Sequence, residues 1–357
     1  MPVFKDNHRG TWYVMARYTA YTGEHKQKCK RGFITKREAL AWEREFLLAD
    51  SGNLNMLFKT FAEEYLNEMK PRLKLNTFLT KKAIFNRYLI PDFGMRKLSE
   101  ITPKDIREWQ NNMLSLKDEN GKLFSSCYLK TIHNQLSAAF NYAVKFYGLP
   151  RNPAALAGNM GKEGKTEMKF WTQEEYRKFS YAIMDKPASY YAFEVLYWTG
   201  IREGELLALT PGDFDFEAKT LRINKSYQKL NGKDVITSPK TVKSNRIIKI
   251  SDFLCEEIKD YMSMFYQLDD ETRLFSVTKH FLLKEMIRGC KISGVKRIRI
   301  HDLRHSHISL LIDMGFSPVA IAERVGHESI HITYRYAHLF PTVQDQMADK
   351  LNETKRY

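Results

Sequence analysis

The sequence predicts a multidomain α+β protein. A small β-sheet-plus-helix module comes first, a helical domain follows, and a larger mixed, mainly helical domain with a small β-sheet completes the chain. Three observations predict this. At 357 residues the chain is longer than one compact core accommodates. Its residue pattern changes twice, from β-branched and aromatic near the N-terminus, to helix-length segments over 56–155, to helices mixed with short strand-like stretches further on. Two linker-like segments mark the changes, Asp50-Ser51-Gly52-Asn53 and the glycine-bearing stretch from Ala157 to Lys169. The expected domains are residues 1–50, 56–155 and 166–357.

In the first of these, Thr11–Thr19 reads as a strand, Thr22-Gly23-Glu24 as a turn and His25–Lys30 as the return strand. Thr35 and Glu38 have the spacing of a capping box, which predicts a helix with Ala39, Trp42 and Phe46 on one side. In the second, helices are expected over Leu57–Met69, Asn76–Leu89 (ending at Pro91), from Thr102-Pro103 onward, and over Ser126–Phe146. In the third, helices are expected near 173–184 and 188–198, and strands near 220–227, 233–238 and 245–250, with more helices beyond.

Charge narrows the function. Fifty-seven Lys and Arg outnumber 42 Asp and Glu, a net +15 with a pI near 9.4. Such a balance suggests a polyanionic partner. The basic residues fall in three stretches, Lys26–Arg37, Lys70–Lys104 and Lys219–Lys249, which predicts a long electrostatic track rather than one patch. Lys26, Lys28, Lys30, Arg31, Lys81 and Lys82 are the expected phosphate contacts. No window approaches 18 uncharged apolar residues, so no membrane span is expected, and Met1–Gly10 lacks the apolar core of a secretory signal. Cys29, Cys127, Cys255 and Cys290 are far apart, and read as reduced thiols of a cytoplasmic protein rather than a disulfide framework or zinc site.

Four segments carry chemistry. In Thr199-Gly200-Ile201-Arg202-Glu203-Gly204-Glu205, Gly200 permits a sharp turn, Arg202 is expected in the first turn of a new helix, and Glu205 stands three residues on to hold its guanidinium. His301-Asp302-Leu303-Arg304-His305-Ser306-His307 opens a helix whose His301 and Arg304 share a side suited to a phosphate, with Leu303, Leu310 and Leu311 as its apolar side. Three histidines in seven residues also admit a metal. Ser317-Pro318 starts a short helix that Gly326 ends, and His327 follows directly. Thr333-Tyr334-Arg335-Tyr336-Ala337-His338 places two tyrosines among basic residues.

These boxes, T-G-I-R-E-G-E, H-D-L-R-H, V-G-H-E-S and R-Y-A-H, resemble in order and spacing those of the tyrosine recombinases of the phage-integrase family. The resemblance covers the third domain, extends more loosely to the helical core-binding domain, and likens residues 1–50 to the arm-site-binding domain of integrases from conjugative transposons and temperate phages. It implies that Arg202, His301, Arg304 and His327 surround the scissile phosphate, that Glu205 supports the first arginine, and that Tyr336, just before Ala337-His338, is the nucleophile, with Tyr334 the competitor. Lys240, in Ser238-Pro239-Lys240-Thr241, is similar to the family's β-hairpin lysine, and Lys243 is the nearby alternative. The implied activity is integration and excision of a mobile element through a 3′-phosphotyrosine, with no cofactor and no metal. The implied partners are core and arm DNA sites, a homotetramer on DNA, a directionality factor and a host DNA-bending protein.

The residue types suit that chemistry. Negative charge that builds on a phosphate in its transition state is met bidentately by arginines. A tyrosine of ordinary pKa near 10 needs a cationic site and a base, and a lysine can protonate the leaving oxygen. Two other readings stay open. His327-Glu328-Ser329-Ile330-His331 spells H-E-x-x-H, the signature of a zinc-dependent hydrolase, which requires one continuous helix. A non-catalytic DNA-binding regulator would explain the basic stretches but not the assembled arginines, histidines and tyrosine.

Overall fold

The computed structural model describes residues 3–6, 9–19, 25–51, 54–162, 168–239, 242–334, 336 and 351–352. The chain divides into two compact units, Met1–Thr166 and Glu167–Tyr357.

In the first unit, β1 (Val3–Asp6), β2 (Thr11–Thr19) and β3 (His25–Phe33) form an antiparallel sheet in that order. β1 escapes the sequence reading because it is only four residues long, and its register is set by pairing, Val3 against Val14. Helix α1 (Lys36–Ser51) starts at the expected capping box: Glu38 N–H donates to Thr35 Oγ1 at 3.2 Å and Thr35 N–H returns to the Glu38 carboxylate. Val14, Ala16 and Ala39 are buried together, with Trp12, Phe33 and Trp42 around them. Helix α1 runs through Ser51, further than the expected linker allows. Residues 22–24 and 52–53 and the Phe46 side chain lie outside the described residues.

The same unit continues with α2 (Phe58–Met69), α3 (Leu75–Ile84), α4 (Ile90–Phe93), α5 (Pro103–Ser115), α6 (Ser126–Phe146) and α7 (Pro153–Ala157). The helix expected to stop at Pro91 does not. The chain widens into a π turn over Phe85–Leu89 and resumes as α4, with Pro91 in its first turn, where the missing N–H leaves no ladder bond unmade. Thr102 and Asp105 close the capping box ahead of α5. Phe58, Phe61, Phe85, Phe93, Trp109 and Phe140 fill the core.

The second unit holds α8 (Gln173–Ala182), α9 (Pro187–Thr199), α10 (Glu203–Leu206), β4 (Phe214–Asp215), β5 (Thr220–Ile223), β6 (Ser226–Leu230), β7 (Lys233–Thr237), β8 (Arg246–Lys249), α11 (Asp252–Ser263), α12 (Lys279–Ser293), α13 (Asp302–Asp313), α14 (Pro318–Val325) and α15 (Ile330–Tyr334). The strand expected over 220–227 is two strands. The chain leaves the β4-β5-β8 sheet at Ile223 and enters the β6–β7 hairpin at Ser226. Helix α13 is apolar on two sides: Leu303 joins the main core, whereas Ile308 and Ile312 join Ile321, Val325 and Tyr336 in a smaller one. No described helix is long and apolar enough to cross a membrane.

Candidate active site

The site is organised by two helix ends. Helix α9 ends at Gly200 and α14 at Gly326, both left-handed, with φ of 65° and 69°. Glycine takes this conformation without strain. A Cβ on Gly200 would also lie 2.5 Å from His307 Cδ2, so no larger residue fits. The last carbonyls of a helix lack partners and carry partial negative charge. Two arginines use them. Arg304, buried on α13, donates through Nη1 to Gly200 O at 2.8 Å and through Nη2 to Val325 O. Arg202 donates through Nη2 to Gly326 O at 3.3 Å and through Nη1 to Ser244 Oγ at 3.2 Å and Glu205 Oε1 at 2.7 Å. Arg202 is therefore not inside a helix, as expected, but extended at the N-cap position of the one-turn α10.

Electrostatics bind these groups into one cluster. Burial pushes the Glu205 carboxyl up, but Arg246 and Arg202 outweigh this and hold it below the ordinary range. Burial, then Arg202, pulls the Arg304 guanidinium down to about 9, the mark of a cation crowded by others. His327 is buried, its Nδ1 is 2.8 Å from Thr333 Oγ1, and burial followed by Arg304 and Arg202 lowers it to about 3. His301, at the N-cap of α13, is lowered by burial and then by Arg304. His327 is therefore neutral at neutral pH.

Tyr336 is 2% exposed, its hydroxyl paired with His305 Nδ1, and it lies close enough to Arg304 to influence its charge. Tyr334 is half exposed. Arg202, Glu205, His301, Arg304, His327 and Tyr336 thus come from separate segments to one region. Lys240 lies outside the described residues, and Lys243 Nζ donates to Glu328 O at 3.2 Å. His327 follows the cap of α14 while α15 starts at Ile330, so the H-E-x-x-H residues do not share one helix.

Among the expected DNA contacts, Lys28, Lys30, Arg31 and Lys82 are exposed, and the Lys26 side chain lies outside the described residues. Lys81 is a correction. It is buried, with Nζ donating to Tyr65 Oη at 3.0 Å and Gln135 Oε1 at 2.6 Å, and burial lowers it to about 8. Its position on α3 turns it into the helical core, away from a phosphate track.

Three residues escape the sequence reading. Arg246 on β8 shares Glu205 with Arg202, Nη2 to Oε2 at 3.0 Å. Arg324 joins His307 Nε2, Lys249 O and Trp198 O, tying α14 to three other segments. His305 meets Tyr336. Arg246 and Arg324 stand outside the quoted boxes and look like ordinary basic residues. His305 stands inside one, and its signal was the triple histidine.

Residues 169–342 match the phage integrase family, residues 57–114 the N-terminal SAM-like domain of phage integrases, and residues 2–50 an arm DNA-binding domain. The chain is 31% identical over 339 residues to the ICEBs1 integrase of Bacillus subtilis (strain 168), across 89% of this chain and 90% of that protein. Among solved structures it is similar to the Tn1549 transposon integrase in complex with a circular intermediate DNA, with a TM-score of 0.67 and 18% identity over 84% of this chain and 99% of that one. It is also similar to lambda integrase in a tetramer bound to a Holliday junction, with a TM-score of 0.58 and 19% identity over 92% of this chain and 96% of that one.

Proposed function

The chain belongs to the phage integrase family, and from that premise we propose which of its residues carry the reaction. It is a tyrosine-type site-specific recombinase that binds DNA and acts in DNA integration and recombination. Tyr336 attacks the scissile phosphate and becomes linked to its 3′ side. Arg202 and Arg304 meet the charge that builds on the phosphate oxygens, and His301 and His327 add hydrogen bonds. Glu205 holds Arg202 in place, and Lys240 protonates the departing 5′-oxygen. The observation that supports this most is the convergence of Arg202, Arg304 and His327 in one cluster, with the buried Tyr336 close enough to Arg304 to act on its charge. The linkage keeps the energy of the broken bond, so rejoining needs no nucleotide.

Residues 1–50 are assigned to arm-type sites, 56–155 to the core site and 166–357 to catalysis. The assembly is a homotetramer on two DNA sites in the bacterial cytoplasm, joined by a directionality factor and a host DNA-bending protein. Phe340, Val343, Met347 and Leu351 recur at intervals of three, four and four, one apolar stripe of a tail helix that we assign to docking on a neighbouring protomer; Phe340, Val343 and Met347 lie outside the described residues. A nicked suicide DNA substrate tests the central assignment. Tyr336→Phe should abolish the covalent adduct while DNA binding stays near normal, and Tyr334→Phe should retain it. The reverse pattern would overturn the nucleophile assignment.

A further inference from the structure

We infer that His305, backed by Asp302, accepts the phenolic proton of Tyr336 as that hydroxyl attacks phosphorus. The inference rests on Tyr336 being the nucleophile. His305 belongs to the H-D-L-R-H box, yet none of the roles above uses it. Its Nδ1 is hydrogen-bonded with Tyr336 Oη, and the two rings are 5.6 Å apart between centroids. On the other side of the imidazole, Asp302 Oδ1 lies 3.8 Å from Nε2. Asp302 is itself buried and fixed by Arg299, whose Nη2 donates to Oδ1 at 2.8 Å. A carboxylate facing Nε2 favours the proton there and leaves the Nδ1 lone pair for the tyrosine. Acid, imidazole and hydroxyl therefore stand in the order that activates a weak nucleophile through a base oriented by a third group.

The neighbouring charges agree with an acceptor. His301 stands edge-on to His305 at 5.3 Å, and Arg299 and Arg304 also disfavour its charged form while Asp302 favours it. Burial, then His301, lowers His305 to about 4, so it is unprotonated at neutral pH. An incoming phosphate offsets the positive charge of Arg304 and makes the imidazole a stronger base. His327 is less suited, because its Nδ1 is already engaged with Thr333 Oγ1. In the step itself the Tyr336 O–P bond forms, the P–O5′ bond breaks, and the phenolic proton moves to His305 Nδ1. The leaving 5′-oxygen takes its proton from the acid assigned to Lys240. On rejoining, the 5′-hydroxyl attacks phosphorus and gives its proton back to the group assigned to Lys240, the Tyr336 O–P bond breaks, and His305 returns its proton to the departing tyrosine.

The test uses the full-length protein on a nicked suicide substrate under single-turnover conditions. His305→Ala removes the base. His305→Gln is the companion variant, because its amide oxygen can still accept from the Tyr336 hydroxyl and hold it without taking the proton. Both should bind DNA normally and form the adduct about 10²-fold more slowly or worse. A ring-fluorinated tyrosine at position 336, with its lower phenol pKa, should recover much of the loss in His305→Gln. Wild-type rates in His305→Gln, or a deficit unchanged by fluorination, would overturn the role of His305. Mapping the adduct separates the two assignments. An adduct on another residue would sink the nucleophile assignment, whereas an adduct on Tyr336 formed at wild-type rate would sink only that of His305.

Discussion

Glu205→Gln removes one charge, almost no volume, and the anchor of two arginines. Arg202 Nη1 lies 2.7 Å from Oε1 and Arg246 Nη2 3.0 Å from Oε2, with Arg246 Nη1 reaching Oε1 as well at 3.4 Å, so the one carboxylate is shared by two cations. The Arg246 side chain is 7% exposed and that of Glu205 3%, so this pair is desolvated; Arg202 is 37% exposed and better screened. Breaking a buried ion pair by removing one partner costs about 3–5 kcal/mol, and the exposed side adds no more than about 1 kcal/mol. The low end applies, because glutamine keeps an acceptor for one guanidinium. For a unit of this size, a loss of about 3 kcal/mol lowers Tm by roughly 6–12 °C. Calorimetry on the full-length chain measures it. The same logic predicts partial rescue: with Glu205 neutral, Arg202, Arg246 and Arg304 are uncompensated, so sulfate or DNA should raise the Tm of the variant more than that of the wild type. If Glu205→Gln melts with the wild type, or gains nothing extra from an anion, the carboxylate is not what holds the cluster together.

Two further predictions follow from buried titratable groups. His305, His307 and His327 are held at about 4, 3 and 3, below the ordinary 6.5. A depressed histidine means that the unfolded chain binds more protons, so DNA-free stability should fall as pH drops through 6.5 and keep falling toward those lower values; thermal unfolding that is flat between about pH 7 and pH 5 would contradict neutral histidines. Lys81→Met should leave the salt dependence of DNA binding unchanged, because Lys81 faces the core, while Lys82→Ala should reduce the log–log salt slope by about 1; binding titrations at several salt concentrations decide it, and a smaller slope for Lys81→Met would return that lysine to the DNA track.

Local signals in this sequence were legible wherever the physics is local. A threonine three residues before Glu38 starts a helix at Thr35, Thr102 ahead of Pro103 starts another, and glycine ends α9, α13 and α14 at positive φ, because caps and left-handed turns depend on neighbours a few residues away. The resemblance carried by the four boxes likewise grouped Arg202, His301, Arg304, His327 and Tyr336, residues that the structure brings to one region. What the tertiary structure decided depends on residues far apart in the chain. Lys81 and Lys82 are adjacent and chemically identical, and only the packing of α3 against Tyr65 and Gln135 buries one and leaves the other in water. Pro91 reads as a helix stop, yet a π turn carries the helix past it. Arg246 reads as one more basic residue of a strand until β8 brings it to Glu205, 41 positions earlier. His305 meets Tyr336 across 31 residues because α13 and the segment after α15 close over one small apolar core. Capping and turn chemistry act through hydrogen bonds within one helical turn. Burial, charge sharing and proton transfer act through distance in space, which only the folded chain defines.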